Sequence, residues 1–277
     1  MIYDIGTFVV CFTALRPFAR RRANSVVFAT DASTTPRGNL ARMHDRLVRD
    51  YDSQLTIRLE TRASLTTRRS PWATVRLAWR CLTAAVIVVD DYFPELYRVR
   101  LPRETEFLQL WHASGAFKKV GYARKGLPGG PGENSRVHNG YTAAIVSSPG
   151  IIDCYADAFA MPAANVHATG LPKTDDLFDS EWISARRRDV RLELGIGTDA
   201  RVALIATTFR GAGLLSATSG STAIDWASVA EALPDHIFLM RNHPITKGDP
   251  PCSPDLELDG ISRDHSTPTK SGCEFRR

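Results

Sequence analysis

The chain has 277 residues, of which 43% are hydrophobic and 23% charged, a globular composition that excludes a disordered or collagen-like polymer. Its five cysteines (Cys11, Cys81, Cys154, Cys252, Cys273) are odd in number and never in CxxC spacing, which argues against a zinc site and a secreted disulfide framework. The formal charge of +5 suits an anionic partner, but the cations are dispersed and no helix-turn-helix pattern accompanies them, so no nucleic-acid role is expected.

Residues 1–22 join an apolar run, Ile2 to Leu15, to a collar of Arg16, Arg20, Arg21 and Arg22. The run is too short to span a bilayer, and its charges follow it rather than precede it as in a signal peptide. It reads either as a first element of the domain or as an apolar anchor facing an anionic membrane surface, with the second preferred. Ser25 to Thr30 reads as a short β-branched strand, Asn39 to Tyr51 has helical spacing through Leu40, Met43, Leu47 and Val48, and Leu55 to Leu59 suits a second strand. The Ser/Thr/Arg segment from Arg62 to Arg69 lacks interleaved aromatics and reads as a solvated loop. Trp72 to Leu82 looks helical, and Ala84 to Val89 is a buried strand ending in Asp90-Asp91. Paired carboxylates at a strand end invite a metal or general-base reading, but loop solvation and helix capping are preferred here.

The stretch from Phe107 to Gly126, FLQLWHASGAFKKVGYARKG, is the centre of the chain. An apolar strand runs into His112, four small residues (Ala113, Ser114, Gly115, Ala116) and a basic helix start at Lys118 and Lys119. In open α/β sheets ligands bind outside the carboxyl ends of the strands, where an imidazole, a close backbone approach and positive charge are all useful. A core strand with a merely packed His112 is an equally compatible reading. Ala143 to Ser148 is the next strand, Pro149 opens an amphipathic helix through Ile151, Ile152, Tyr155 and Phe159, and Val166 to Thr169 leads into the segment ending at Asp175. Strands and helices alternate without hairpin signals, so a doubly wound parallel sheet is expected over residues 23–185.

A charged helical segment, Leu177 to Arg191, marks a domain boundary, and a second sheet follows over 186–248. Val202 to Ala206 empties into Thr207, Thr208, Phe209 and Arg210, a helix runs from Trp226 to Leu233, and Ile237 to Met240 empties into Arg241, Asn242 and His243. Residues 249–277 are rich in Pro, Asp and Ser, lose periodicity and are expected to be disordered.

Six motifs in one order, IVVDDYFPELY, QLWHASGAFKKVG, IVSSP, ATGLPKTD, ATTFRG and IFLMRNHP, resemble the CDP-glycerol glycerophosphotransferase family, whose members build teichoic-acid-type poly(glycerol phosphate) in bacterial envelopes. The resemblance implies an α/β fold of the glycosyltransferase-B-like kind, two Rossmann-like domains with the second incomplete. It implies transfer of glycerol phosphate from CDP-glycerol to a lipid-linked glycerol phosphate acceptor at the cytoplasmic face of the membrane, releasing CMP; no cofactor is expected, and no carboxylate or His cluster has the spacing that would demand a metal. By the same resemblance His112 is the base that deprotonates the acceptor hydroxyl, a task an imidazole suits. Ala113 to Ala116 touch the donor, Lys173 supplies a cation to it, and Thr207 and Thr208 contact it. Arg241, Asn242 and His243 hold its pyrophosphate, with His243 as the second catalytic group easing departure of CMP. This chain has His-Ala-Ser-Gly-Ala where many members have a Gly-Thr-Pro version of the loop. The family's later Asp-Tyr-Ser-Ser-like segment has no counterpart here, which leads to an expectation of weak or absent activity for this chain alone. An inactive binding module and another glycosyltransferase-B nucleotide-sugar enzyme stay open as alternatives.

Overall fold

The computed structural model describes residues 2–65, 67–206, 209–210, 218–219, 225–241 and 272–275. The chain divides into two compact units, residues 1–180 and 181–277.

The first unit is built on six strands: β1 (Ser25–Thr30), β2 (Thr56–Thr61), β3 (Val86–Val89), β4 (Glu106–Gln109), β5 (Ala143–Ile145) and β6 (Val166–His167). All neighbouring pairs are parallel, in the order β2-β1-β3-β4-β5-β6. Strand alternation sends Val27, Ala29, Ile87 and Val89 to one face, and Val26, Phe28 and Val88 to the other. Both faces are therefore apolar and both are covered, as a parallel sheet requires. Helix α2 (Gly38–Tyr51) covers the second face through Leu40, Met43 and Leu47. Helices α1 (Ile2–Leu15), α3 (Pro71–Thr83) and α4 (Ile152–Phe159) contribute Phe8, Leu77 and Phe159 to the first face. Helix α3 starts where its sequence directs: Ser70 Oγ accepts the Ala73 N–H at 3.2 Å and Pro71 occupies the first turn. The chain leaves β1 through α2 toward one edge and returns through α3 on the other face, so its direction reverses between β1 and β3. That boundary is the topological switch point of the sheet.

Three expectations for this unit are corrected. The Ile2 to Leu15 run takes the other of its two readings, a first element of the domain: α1 packs on α3, and Phe8 and Phe12, four residues apart on one helical face, are buried in the core. The Arg62 to Arg69 segment is not a solvated loop, because Arg62 and Arg69 are 4% exposed and paired with Asp31 and Glu95. No basic helix starts at Lys118; the first helical turn is a 3-10 turn at Gly121–Arg124. Gly121 has φ +50°, and a Cβ there would meet the Ala158 carbonyl oxygen at 2.2 Å, so the chain turns tightly against α4 instead of continuing outward.

The second unit begins with α5 (Ser180–Glu193) and carries a parallel pair, β7 (Arg201–Ala206) and β10 (His236–Arg241), joined by a segment that includes α6 (Trp226–Ala232). Between them a short antiparallel pair, β8 (Phe209–Arg210) and β9 (Thr218–Ser219), occupies a stretch expected to be irregular; two-residue strands leave no periodic signal to read. The tail expected to be disordered supplies β11 (Gly272–Phe275), which pairs antiparallel with β10 as the third strand of the sheet. Its Cys273-Glu274-Phe275 run was too short and too isolated to register as a strand in the sequence.

Candidate functional site

The carboxyl ends of β1, β3, β4 and β5 gather the polar residues of the first unit. The chain leaves β4 at Gln109, and Trp111 takes φ 51°, a left-handed conformation unusual for a bulky residue and characteristic of sites that hold local strain. Trp111 is buried against Tyr92, His138 and Phe159, with ring centroids 5.4 to 5.5 Å away. His138 beneath it is buried in this aromatic cluster, and that burial pushes its imidazole down to about 3, so it is neutral packing material at physiological pH.

The turn at Trp111 delivers His112 to the surface, where its side chain is 55% exposed. Its ring stacks on the Trp111 indole, with centroids 4.5 Å apart and planes 28° from parallel. Nδ1 lies 3.4 Å from the Asp90 carbonyl oxygen and 3.8 Å from Oδ2 of Asp91, both at the carboxyl end of β3. Burial pushes the Asp90 carboxyl up to about 6, against the pull of a hydrogen bond from Thr30; the neighbouring Asp91 charge adds to the rise. Of the two aspartates set aside in the sequence as solvation and capping, Asp91 thus faces the imidazole with its carboxylate and Asp90 with its backbone carbonyl. Their position at a strand end beside the switch point was the signal that could have found them.

Lys173 reaches the same place from the 3-10 segment Pro172–Phe178, its Nζ donating to the His112 carbonyl at 2.6 Å. Asn39, buried near the start of α2, joins the two: its Nδ2 donates to the Trp111 carbonyl at 2.7 Å, and its Oδ1 accepts the Lys173 N–H at 3.1 Å. Gly38 before it has φ 55°, a conformation glycine takes without strain. The loop after His112 is fixed by its carbonyls. Ser147 Oγ donates to the Ser114 carbonyl at 2.7 Å, and the Tyr155 hydroxyl to that of Gly115 at 3.1 Å. Ala113 and Gly115 are half-buried, while Ser114 and Ala116 are exposed.

Of the residues expected at the site, the fold brings together His112, Ala113, Ser114, Gly115, Ala116 and Lys173. Arg241 closes β10 in the second unit. Thr207, Thr208, Asn242 and His243 lie outside the described residues. Asn39 and Ser147 join the site without having been singled out for it, and Asp90 and Asp91 join it although solvation and capping were the preferred reading. Chemically, the cluster can take a proton from a hydroxyl and present a cation to an anionic group.

Comparison with known proteins gives this arrangement a context. The family model described as CDP-glycerol:poly(glycerophosphate) glycerophosphotransferase matches residues 11–258. The chain is 36% identical over 243 residues to the teichoic acid ribitol-phosphate polymerase TarL of Staphylococcus aureus, covering 87% of this chain and 43% of that one. It is 34% identical over 229 residues to the teichoic acid poly(ribitol-phosphate) polymerase of Bacillus spizizenii, covering 82% and 37%. The chain thus spans less than half the length of these curated relatives. Among solved structures, the wall teichoic acid polymerase TagF aligns with TM-score 0.66 at 14% identity, over 87% of this chain and 62% of that one. That likeness establishes the fold as glycosyltransferase-B-like, with parallel sheets flanked by helices.

Proposed function

The chain belongs to the CDP-glycerol:poly(glycerophosphate) glycerophosphotransferase family, and from that premise we propose that it transfers glycerol phosphate from CDP-glycerol to a hydroxyl of a lipid-linked, teichoic-acid-type acceptor. The acceptor oxygen attacks the phosphorus that carries glycerol. The phosphoanhydride P–O bond to CMP breaks, and the hydroxyl proton passes to His112. The observation that carries this reading is the half-exposed His112 imidazole, set beside the Asp91 carboxylate and the Asp90 carbonyl at the carboxyl ends of β3 and β4 in a parallel sheet. An imidazole in hydrogen-bond reach of a hydroxyl is a suitable base for phosphoryl transfer, in which positioning and charge compensation provide most of the acceleration. Lys173 and the Ala113 to Ala116 loop are proposed to face the donor; for Thr207, Thr208, Arg241, Asn242 and His243 the family resemblance implies donor-binding roles.

A second donor is favoured by the relatives' names. Two of them are ribitol-phosphate polymerases, so the polyol on the donor is either glycerol or ribitol. We place the reaction at the cytoplasmic surface of the membrane, where a lipid-linked acceptor presents its hydroxyl. No helix among the described residues is long and apolar enough to cross a membrane. The exposed Arg20, Arg21 and Arg22 offer positive charge to anionic lipid. The test is CMP release from CDP-glycerol and from CDP-ribitol in the presence of a membrane-extract acceptor. Release from one or both donors, dependent on acceptor, supports the reading and selects the polyol; release from neither contradicts it.

A further inference from the structure

The His112 ring is held from one side. Nδ1 faces the Asp90 carbonyl oxygen at 3.4 Å and a carboxylate oxygen of Asp91 at 3.8 Å. Both are acceptors without a hydrogen to give. The nitrogen that faces them must supply the hydrogen, so the neutral ring is the Nδ1–H tautomer and its lone pair is on Nε2. Nε2 has no hydrogen-bond partner among the described residues, and the ring is 55% exposed. The lone pair is therefore available to an incoming hydroxyl.

Asp91 is itself fixed in place. Its Oδ1 accepts the Tyr92 N–H at 2.7 Å, and its carbonyl accepts a hydrogen from Gln109 Nε2 at 3.3 Å. Gln109 is fully buried. Its Oε1 accepts the Trp111 N–H at 2.8 Å, and its Nε2 lies 2.6 Å from the Tyr141 hydroxyl, which pairs in turn with that of Tyr97. One glutamine side chain thus ties the residue that faces the ring to the residue that precedes it. On the other side Lys173 sets an ammonium on the His112 carbonyl, a like charge to any imidazolium formed there. Asp91 is the acidic side chain within ion-pair distance of the ring that offsets it.

We propose that Asp91 is the positioning residue of His112: together with the Asp90 carbonyl it favours the imidazole as the Nδ1–H tautomer, directs Nε2 to the acceptor hydroxyl, and balances the positive charge that forms when Nε2 takes the proton. The logic is that of a base oriented by a third group. The catalytic half of this proposal rests on the transfer reading above; the tautomer half stands on the chain alone.

The test begins without substrate. In long-range proton–nitrogen spectra of the 15N-histidine-labelled protein, His112 is assigned by its loss in His112→Ala. The expected ring is Nδ1–H in wild type, and the Nε2–H form gains in Asp91→Ala. A wild-type ring in the Nε2–H form, or a tautomer ratio unchanged by Asp91→Ala, overturns the proposal. In turnover, Asp91→Ala is expected to lower kcat by about 10-fold or more with little change in KM. The same substitution in a His112→Ala background is expected to have no further effect. An equal loss in that background marks a merely structural role and overturns the proposal. If no preparation releases CMP, the transfer reading fails and the tautomer spectra alone decide this one.

Discussion

Adjacent strands β1 and β3 each end in aspartate, Asp31 on one and Asp90-Asp91 on the other. Asp31 is closed in with Arg62, Arg69 and Glu95, all four side chains between 1% and 4% exposed. Two cations and two anions cancel there, and Arg69 lies over the Phe93 ring, 5.5 Å from its centroid. Burial and the Glu95 charge still push the Asp31 carboxyl up to about 7 against both guanidinium groups, a sign of how much desolvation the cluster carries. Asp91 is 32% exposed and faces a half-exposed imidazole at ion-pair distance. The same residue type, one strand apart, is sealed in charge pairs in one place and left open in the other. The difference teaches where chemistry is available: an open titratable cluster can exchange protons with a ligand, and a sealed one cannot.

Breaking the sealed cluster has the largest expected effect on folding. Arg62→Ala removes one guanidinium from between Asp31 and Glu95, and the expected loss is about 3–5 kcal/mol in a urea melt. A loss below about 1 kcal/mol would mean that water already solvates these carboxylates. His112→Ala probes the open cluster and is expected to do the reverse. CMP release should fall about 100-fold or more, while stability stays within about 0.5 kcal/mol of wild type. Asn39→Ala tests the link between α2, Trp111 and Lys173. Removing a buried amide bonded at both ends is expected to cost about 1–3 kcal/mol, and a neutral result would show that the Trp111 turn holds itself.

The smallest effect concerns pH. Asp90 titrates near 6 in the fold and at an ordinary value of 3.8 when unfolded, so between these limits the folded state binds more protons. Its contribution to stability is therefore lost as pH rises from about 4 to about 6, by roughly 1–2 kcal/mol after allowing for partial solvent access. Asp90→Asn should remove that slope and match or exceed wild-type stability at neutral pH. A wild-type melting curve flat across this window would show that Asp90 ionises freely in the fold.

The first sheet was legible because β1 and β3 are apolar on both faces and the intervening helices keep a 3.6-residue period, so SVVFAT and the run ending in Asp90 read directly as buried strands. His112 was legible because a strand breaking abruptly into small residues is a sheet-edge pattern. Asp91 was not, since its role depends on β3 and β4 being neighbours in register, with Val89 opposite Gln109. Asn39 was hidden for a related reason: its partners are 71 to 134 residues away in the chain. Arg62 and Arg69 misled because arginines in a Ser/Thr segment carry no periodic sign of burial. Phe8 and Phe12 misled in the opposite way, since an apolar helix followed by arginines has the same sequence whether it faces lipid or α3.

The measurement that bears most directly on the account is CMP release from CDP-glycerol by the protein with a membrane-extract acceptor, for wild type beside His112→Ala, with melting curves on both. The account predicts measurable release in wild type, weak for this chain alone, its loss in His112→Ala, and superimposable melts. Equal release by the two proteins would contradict it, because the open cluster at the ends of β3 and β4 would then not be where the proton goes.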